Sequence, residues 1–340
     1  MTSGLISAHP TAVAEAVRQE RSLVIPIGVV VPADLPAGEF VGYVQEAERL
    51  GFDQLWVVED CFFRGGVAQA GVALALTTTI TVGLGILPAG ARNVAFAAME
   101  IATLENLFPG RLIVGVGHGM PDWMRQAGTW PSSPVTLLSE YIVTLKRLLA
   151  GEKVSYAGTY VNLDEVALES PPSAAPPVLA GVRGPRSLRA SGAVSDGTIL
   201  AEPVTPEYVA VARGLAAPAG GPHRIVAYNV GAIDDSADAA RERARTALRW
   251  IGAPEWTPHI EPLPFARELA DLRQQARSGE EFASQLPDAW IDQLAVVGDP
   301  ATAAARVATL EKSGVTDLVL SPAGDAPRTR LAELARILPA

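Results

Sequence analysis

The sequence predicts an α/β fold, a TIM-type (β/α)8 barrel with insertion segments, and three observations predict it. Eight short apolar runs recur along the chain, and they are nearly continuous rather than alternating. Runs of that kind suit strands buried on both faces, as in a parallel sheet. Segments with helical periodicity separate them, so strand and helix alternate. Hydrophobic residues make up 49% of the chain and charged residues 19%, a composition that suits a large buried core. An open, doubly wound sheet is the alternative arrangement of the same elements.

The strand candidates are LVIPIGVVV at 23–31, QLWVV at 54–58, ITVGLGIL at 80–87, RLIVGVG at 111–117, PPVLAG at 176–181, GTILA at 197–201, RIVAYNVGA at 224–232 and TDLVLS at 316–321. Between the first two, residues 38–51 place Phe40, Val44, Ala47 and Leu50 on one helical face and stop at Gly51. Residues 93–107 read as a helix capped by Asn93. Residues 136–151 end in Lys146, Arg147 and then Gly151, cations and a glycine where a helix C-terminus favours them. The alternating stretch 154–163 reads as a small hairpin turning at Ala157-Gly158. Several helical segments precede the last strand, so a helical insertion is expected at about 233–313. The reading is one domain over 1–340: an N-terminal arm at 1–23, a barrel at 24–322 and a C-terminal helix at 323–340.

The formal net charge of −10 comes with no basic block, which argues against nucleic acid as the main partner. Cys61 is the single cysteine, so no disulfide forms within the chain. With no signal-peptide pattern at the start, the expected location is cytoplasmic. The longest apolar stretches are too short to span a bilayer. The histidines His9, His118, His223 and His259 are scattered and there is no cysteine pair, so no metal site is expected.

In a (β/α)8 barrel the chemistry lies at the C-terminal ends of the strands. That rule selects Glu59 and Asp60, Gly85-Ile86, Gly117-His118-Gly119, the stretch Gly181-Val182-Arg183-Gly184-Pro185, Glu202 and Asn229. The segment GVRGPRSLRASGAVSDG at 181–197 leaves a strand at Gly181 and opens a helix at Pro185. Free N–H groups at such a helix start bind anions, and Arg183 and Arg186 stand beside them, so a phosphate site is one reading and a solvated turn the other. Crowding of Glu59 and Asp60 could raise one of the two and make it a proton donor; the plain alternative is a polar strand end. VGVGHG at 114–119 has GxGxG spacing, not the dinucleotide GxGxxG. Its glycines would let a ligand approach His118, or His118 simply bonds the loop backbone. Met120, Trp123, Met124 and Trp130 read as an apolar lip over a flat ligand or as packing, and Cys61 as buried.

The stretches AERLGFDQLWVVED, TTTITVGLGILPAGARNVAFAAMEIATLENLFPGRLIVGVGHG and GVRGPRSLRASGAVSDGTIL resemble the bacterial luciferase-like superfamily. VGDPATAAARVATLEKSGVTDLVLSP at 297–322 resembles its usual end. The closest look is to the deazaflavin-dependent branch that includes methylenetetrahydromethanopterin reductase. The resemblance implies an insertion-bearing TIM barrel, usually a homodimer, that binds the deazaflavin coenzyme F420 or FMN at the strand C-termini. It implies a non-proline cis peptide behind the cofactor ring, here Gly85-Ile86. It puts the phosphate contact on Gly181, Arg183, Gly184 and Pro185, and places the VGVGHG strand end, with Gly117 and His118, beside the ring; Val182 and Glu202, at strand ends, are counted with the cofactor-binding candidates.

There are departures from the family pattern. Glu59-Asp60 stands where several deazaflavin enzymes carry Asp-His, and Met120 stands where sugar-phosphate dehydrogenases carry a glutamate. Asp60 or His118 would then take the proton role. The resulting expectation is an oxidoreductase moving a hydride between the deazaflavin and a small organic substrate. The alternatives are an FMN-dependent monooxygenase fed by a separate flavin reductase, and a flavin-binding barrel without catalysis.

Overall fold

The computed structural model describes residues 25–217 and 222–339; the expected arm at 1–23 lies outside them. The strands are β1 (Ile27–Val30), β2 (Gln54–Val57), β3 (Thr81–Pro88), β4 (Leu112–Gly117), β5 (Val154–Ala157), β6 (Asn162–Val166), β7 (Val178–Gly181), β8 (Gly197–Leu200), β9 (Arg224–Ile233), β10 (Val296–Gly298) and β11 (Asp317–Pro322). Eight of them, in the order β11-β1-β2-β3-β4-β7-β8-β9, pair in parallel, and β9 closes the ring by pairing back onto β11. The fold is a TIM barrel, and each of the eight apolar runs supplies one of its strands. Burial on both faces explains why those runs do not alternate: β2, β4 and β8 are buried at every position.

The helices follow local signals. Asn93 accepts a hydrogen bond from Ala95 N at 2.8 Å and opens the helix Val94–Leu107. Gly51, at φ +87°, follows the helix Phe40–Arg49. The hairpin β5–β6 forms, and its turn is held by Glu140, whose carboxylate accepts from the N–H groups of Thr159, Tyr160 and Val161 at 2.8–3.0 Å. β10 was not anticipated. It is three residues long and extends the far end of β9, too short for a sequence pattern to announce.

Three apolar clusters result. The main one lies between the strands and the surrounding helices. A second is built largely from the helices between Ala237 and Leu294, with Ala240, Phe282, Ile291 and Leu294 at its centre. The helix Pro300–Ser313 instead buries Ala303, Val307 and Leu310 in the main cluster, so it belongs to the barrel wall. The third cluster fills the barrel lumen with Trp56, Ile113, Leu179, Ile199, Val226, Tyr228 and Val319.

Candidate active site at the barrel mouth

The lumen is shaped by glycines. A Cβ on Gly83 would lie 2.3 Å from the Trp56 ring, and one on Gly85 would lie 2.1 Å from the Tyr228 hydroxyl. Both rings therefore need glycine on β3, and they meet each other edge to face at 5.7 Å. Above them the Gly85–Ile86 peptide is cis, as the resemblance implies. The β3–β4 ladder shifts register between Leu84 and Leu87. The Ile86 side chain settles over three glycines: a Cβ would come within 3.1 Å of it at Gly115, 3.0 Å at Gly117 and 2.4 Å at Gly181. Gly115 and Gly117 of the GxGxG stretch, together with Gly181, thus make room for Ile86, which forms a half-buried apolar floor at the mouth, while Gly119 lies against Met124.

Glu59 and Asp60 are adjacent in sequence and differ in setting. Glu59 takes two hydrogen bonds from Arg92 Nη2, at 2.7 and 2.8 Å, and one from Gly66 N at 2.6 Å. It braces the loop after β2 against the loop after β3. Asp60 carries no such pair among the described residues, and its carboxyl pKa is raised by burial first and by the Glu202 charge second. The charge that raises Asp60 beyond burial is therefore that of Glu202, after β8, and not that of Glu59, which the structure ties to Arg92. Burial and the charges of Glu59 and Asp60 push the half-buried Cys61 thiol up.

His118 follows β4 and its Nε2 lies 2.9 Å from Ser187 Oγ. Burial holds its pKa below the ordinary value; a bond to the Pro134 backbone opposes this and the Arg183 charge adds to it. Ser187 belongs to the first turn of the helix Pro185–Val194, whose N-cap is Gly184 and whose first turn has no acidic residue. The first N–H groups of any helix lack intrahelical partners, so this end carries positive potential.

Arg183 does not lie free beside that helix end. Its guanidinium sits over the Trp256 ring at 5.0 Å and donates to the Glu255 carbonyl at 3.3 Å. Tyr208 Oη donates to the Arg183 carbonyl at 2.9 Å, and Trp256 Nε1 donates to the Glu202 carbonyl at 3.0 Å. His259, fully buried, packs on Tyr208 at 4.4 Å and faces the Pro203 carbonyl through Nδ1 at 3.3 Å. This seam joins the ends of β7 and β8 to the segment 254–260.

The structure thus brings Asp60, Ile86, Gly117, His118, Gly181 to Pro185 and Glu202 to one end of the barrel, with Val182 buried as a wall residue. Glu59 stands at the flank in its ion pair. Asn229 is engaged elsewhere, since its side-chain amide clamps the backbone of Val204 at 2.9 and 3.0 Å. Met124 is buried under Gly119 and Gly90, so it packs; Met120, Trp123 and Trp130 are half-buried. Sequence reading missed Tyr228, Trp256 and His259. Tyr228 sits inside an apolar run, and the other two act across more than fifty residues. Two open clefts, one beside Lys146 and Asp196 and one beside Arg213 and His223, lie at the opposite end of the barrel.

A closed parallel barrel with its polar groups gathered at the strand C-termini has the architecture of TIM-barrel enzymes. The family model described as luciferase-like monooxygenase matches residues 10–317, and the chain belongs to that family. It is an oxidoreductase of the family. It is 27% identical over 306 residues to a 5,10-methylenetetrahydromethanopterin reductase of Methanolobus tindarius, covering 86% of this chain and 93% of that protein. Among solved structures it is similar to the coenzyme F420 dependent tetrahydromethanopterin reductase from Methanopyrus kandleri, with TM-score 0.79 and 21% identity over 93% of this chain and 99% of that one. It is also similar to the monooxygenase RslO1 from Streptomyces bottropensis, with TM-score 0.69 and 19% identity over 92% and 97%. Among the described residues, no helix is long and apolar enough to cross a membrane.

Proposed function

We propose that this chain moves a hydride between the deazaflavin coenzyme F420 and a small organic substrate. The observation that carries the reading is Asp60, a half-buried carboxyl group after β2 at the mouth, whose pKa burial raises and which no ion pair holds among the described residues, at the same end of the barrel as the glycine-cradled Ile86 floor. Reduction of a C=O or C=N bond needs a hydride at carbon and a proton at the heteroatom. The coenzyme, when bound, supplies the hydride. Asp60 supplies the proton.

The remaining residues fit a flat, phosphate-bearing coenzyme. Ile86 offers an apolar surface that Gly115, Gly117 and Gly181 leave room for. The start of the helix Pro185–Val194 offers free N–H groups with no acidic residue in its first turn, and Gly184 and Ser187 stand beside them. Arg183, held over Trp256, contributes its positive charge to the field of this helix end. Burial lowers the His118 pKa and so favours its neutral form, and His118 holds its place through Ser187. The relatives named as F420-dependent or methylenetetrahydromethanopterin-reducing support the deazaflavin over FMN.

A homodimer and a cytoplasmic location belong to the same reading. Phe96, Met99 and Leu107 are more than half exposed on the helix Val94–Leu107, an apolar face suited to a second copy. Sedimentation of the purified protein measures it, and a monomer at micromolar concentration removes that part of the reading.

The test of the cofactor is a fluorescence titration of the purified protein with F420 and, separately, with FMN. Tighter binding of F420 is expected. Tighter binding of FMN would replace the reading by a monooxygenase supplied by a flavin reductase, with oxygen uptake measured next. Tight F420 binding combined with unchanged turnover in Asp60→Asn and His118→Ala would point to a binding barrel without catalysis.

A further inference from the structure

The loop after β2 runs from Val58 to Gly65 and carries Asp60. Its two largest side chains do not hold it down, since Phe62 is 70% exposed and Phe63 60% exposed. A loop that buries so little apolar surface opens easily unless polar contacts fix it. Inside the loop, the Phe63 N–H donates to the Asp60 carbonyl at 2.9 Å. The Asp60 carboxyl itself has no hydrogen bond or ion pair among the described residues, so its place is set by its backbone.

Two side chains with no part in the reading above hold that backbone. The helix Gly66–Leu76 has the sequence GVAQAGVALAL, and Gln69 is its single polar side chain. It is 6% exposed. Its Nε2 donates to the Val58 carbonyl, before Asp60, at 2.9 Å, and to the Arg64 and Gly65 carbonyls, after Asp60, at 3.2 and 3.4 Å. An amide nitrogen carries two N–H groups, so one serves each end of the loop. Gln69 Oε1 accepts from Arg64 Nε at 3.1 Å. Arg64 donates onward, through Nη1 to the Leu35 carbonyl at 2.6 Å and through Nη2 to the Pro32 carbonyl at 2.7 Å, both after β1. With Glu59 bound to Arg92 on the other flank, the base of this loop joins the ends of β1, β2 and β3.

We propose that Gln69, aided by Arg64, is a positioning residue for the reaction: it closes the loop 58–65 at both ends and thereby fixes where Asp60 stands at the mouth. Gln69 acts through the loop and not on the substrate. A buried amide spent wholly on the two ends of one loop, in a helix otherwise made of glycine and apolar residues, has that loop as its task. Precision matters here because a misplacement of about 1 Å at a reacting group costs about 10²-fold in rate. The use of this placement in turnover rests on the reading of Asp60 as proton donor, whereas the fixing of the loop does not.

Amide hydrogen exchange of the isolated protein, read by mass spectrometry over residues 58–65, tests the fixing of the loop. Gln69→Met keeps the length of the side chain and removes its donors and its acceptor. Exchange in 58–65 should quicken by about tenfold while β3 and β4 keep their wild-type rates. Unchanged exchange in 58–65, or an equal rise throughout the barrel, overturns the proposal. If Gln69→Met does not fold, Arg64→Lys gives the same readout: about a threefold rise confined to 58–65 is expected, and no rise overturns it. The link to Asp60 is read in turnover. Gln69→Met should lower kcat by about tenfold and leave F420 affinity within about twofold, and it should cost nothing further in an Asp60→Asn background, because both residues serve one step. An equal loss in both backgrounds marks Gln69 as merely structural and overturns the positioning role. Full activity of Asp60→Asn would remove the donor reading instead, and the exchange result would still decide whether Gln69 fixes the loop.

Discussion

The two ends of the barrel use the same kinds of residue to opposite ends. At the N-terminal end the polar groups are paired. Asp317, 2% exposed, accepts from Gln54 at 2.6 Å, from Arg224 at 2.5 Å and from Thr316 at 2.7 Å, and so ties together β2, β9 and β11. Asp196 accepts from Lys146 at 2.5 Å and from the Val178 N–H at 2.9 Å. Arg111 donates to the Thr77 and Ile80 carbonyls. At the C-terminal end Asp60 has a raised pKa, Tyr228 an unmatched hydroxyl, and the helix Pro185–Val194 an uncapped start. One end uses its polar groups to close the sheet. The other keeps them available, and stability is given up there.

The largest effect expected from this contrast is at Asp317. Asp317→Ala leaves Arg224 and Gln54 without their acceptor, and loss of one partner of a buried pair costs about 3–5 kcal/mol. Because Arg224 is one-third exposed, the lower end of that range is expected. Urea unfolding measures it. A loss under 1 kcal/mol would mean that the N-terminal end is no more committed to stability than the mouth.

Asp60→Asn is the counterpart. Activity should fall by about 10²-fold or more, the usual size of a lost acid catalyst. Stability should hold or rise, since burial of the charge near Glu202 is unfavourable in the fold. For the native enzyme, the rate of substrate reduction should decline as pH rises through the raised pKa of Asp60. The stability contribution has the same sign: the fold binds this proton more tightly than the unfolded chain, so stability declines over that interval as pH rises. A flat pH profile with full activity in Asp60→Asn would remove the proton role.

These contrasts show what was legible in the sequence. The eight barrel strands were, because burial on both faces writes itself as a continuous apolar run. So was the placement of Asp60, Ile86, His118 and Gly181 to Pro185 at one end of the barrel, because the fold dictates where each strand ends. Which of Glu59 and Asp60 would stay unpaired was not, since the answer depends on Arg92, thirty-three residues from Glu59. Tyr228 was hidden for the reason the strands were visible: inside RIVAYNVGA a tyrosine reads as one more lumen residue. The roles of Gly83 and Gly85 became clear only once Trp56 and Tyr228 were seen against them.

The seam of His259 lies between the two extremes, buried at the mouth yet structural. Burial, helped by the Arg183 charge, lowers its pKa to about 3. Between its ordinary value near 6.5 and about 3 the unfolded chain binds a proton that the fold does not. Stability should therefore fall by about 1.4 kcal/mol per pH unit as pH drops through that window. His259→Phe should remove that slope and leave the smaller contributions of His118 and His223, whose values burial also lowers. Chemical unfolding at pH 6, 5 and 4 compares the two proteins. Equal slopes would mean that the seam opens before the rest of the fold responds.

The smallest effect concerns how this seam serves the mouth. Arg183 is shared between the helix end that would hold phosphate and the Trp256 ring on which it rests. Arg183→Lys keeps the charge and loses the planar stacking and the fork of donors, so about a tenfold loss of F420 affinity is expected. Trp256→Phe keeps an aromatic face but loses the indole bond to the Glu202 carbonyl, and about a threefold loss is expected, the scale of an exposed cation–π contact. If Trp256 acts through Arg183, the double variant should bind little worse than Arg183→Lys, because the two residues share one interaction. Additive losses would mean that each supports the mouth separately. Unchanged affinity in both single variants would assign the seam wholly to packing, and the phosphate contact would then rest on the helix N–H groups and Ser187.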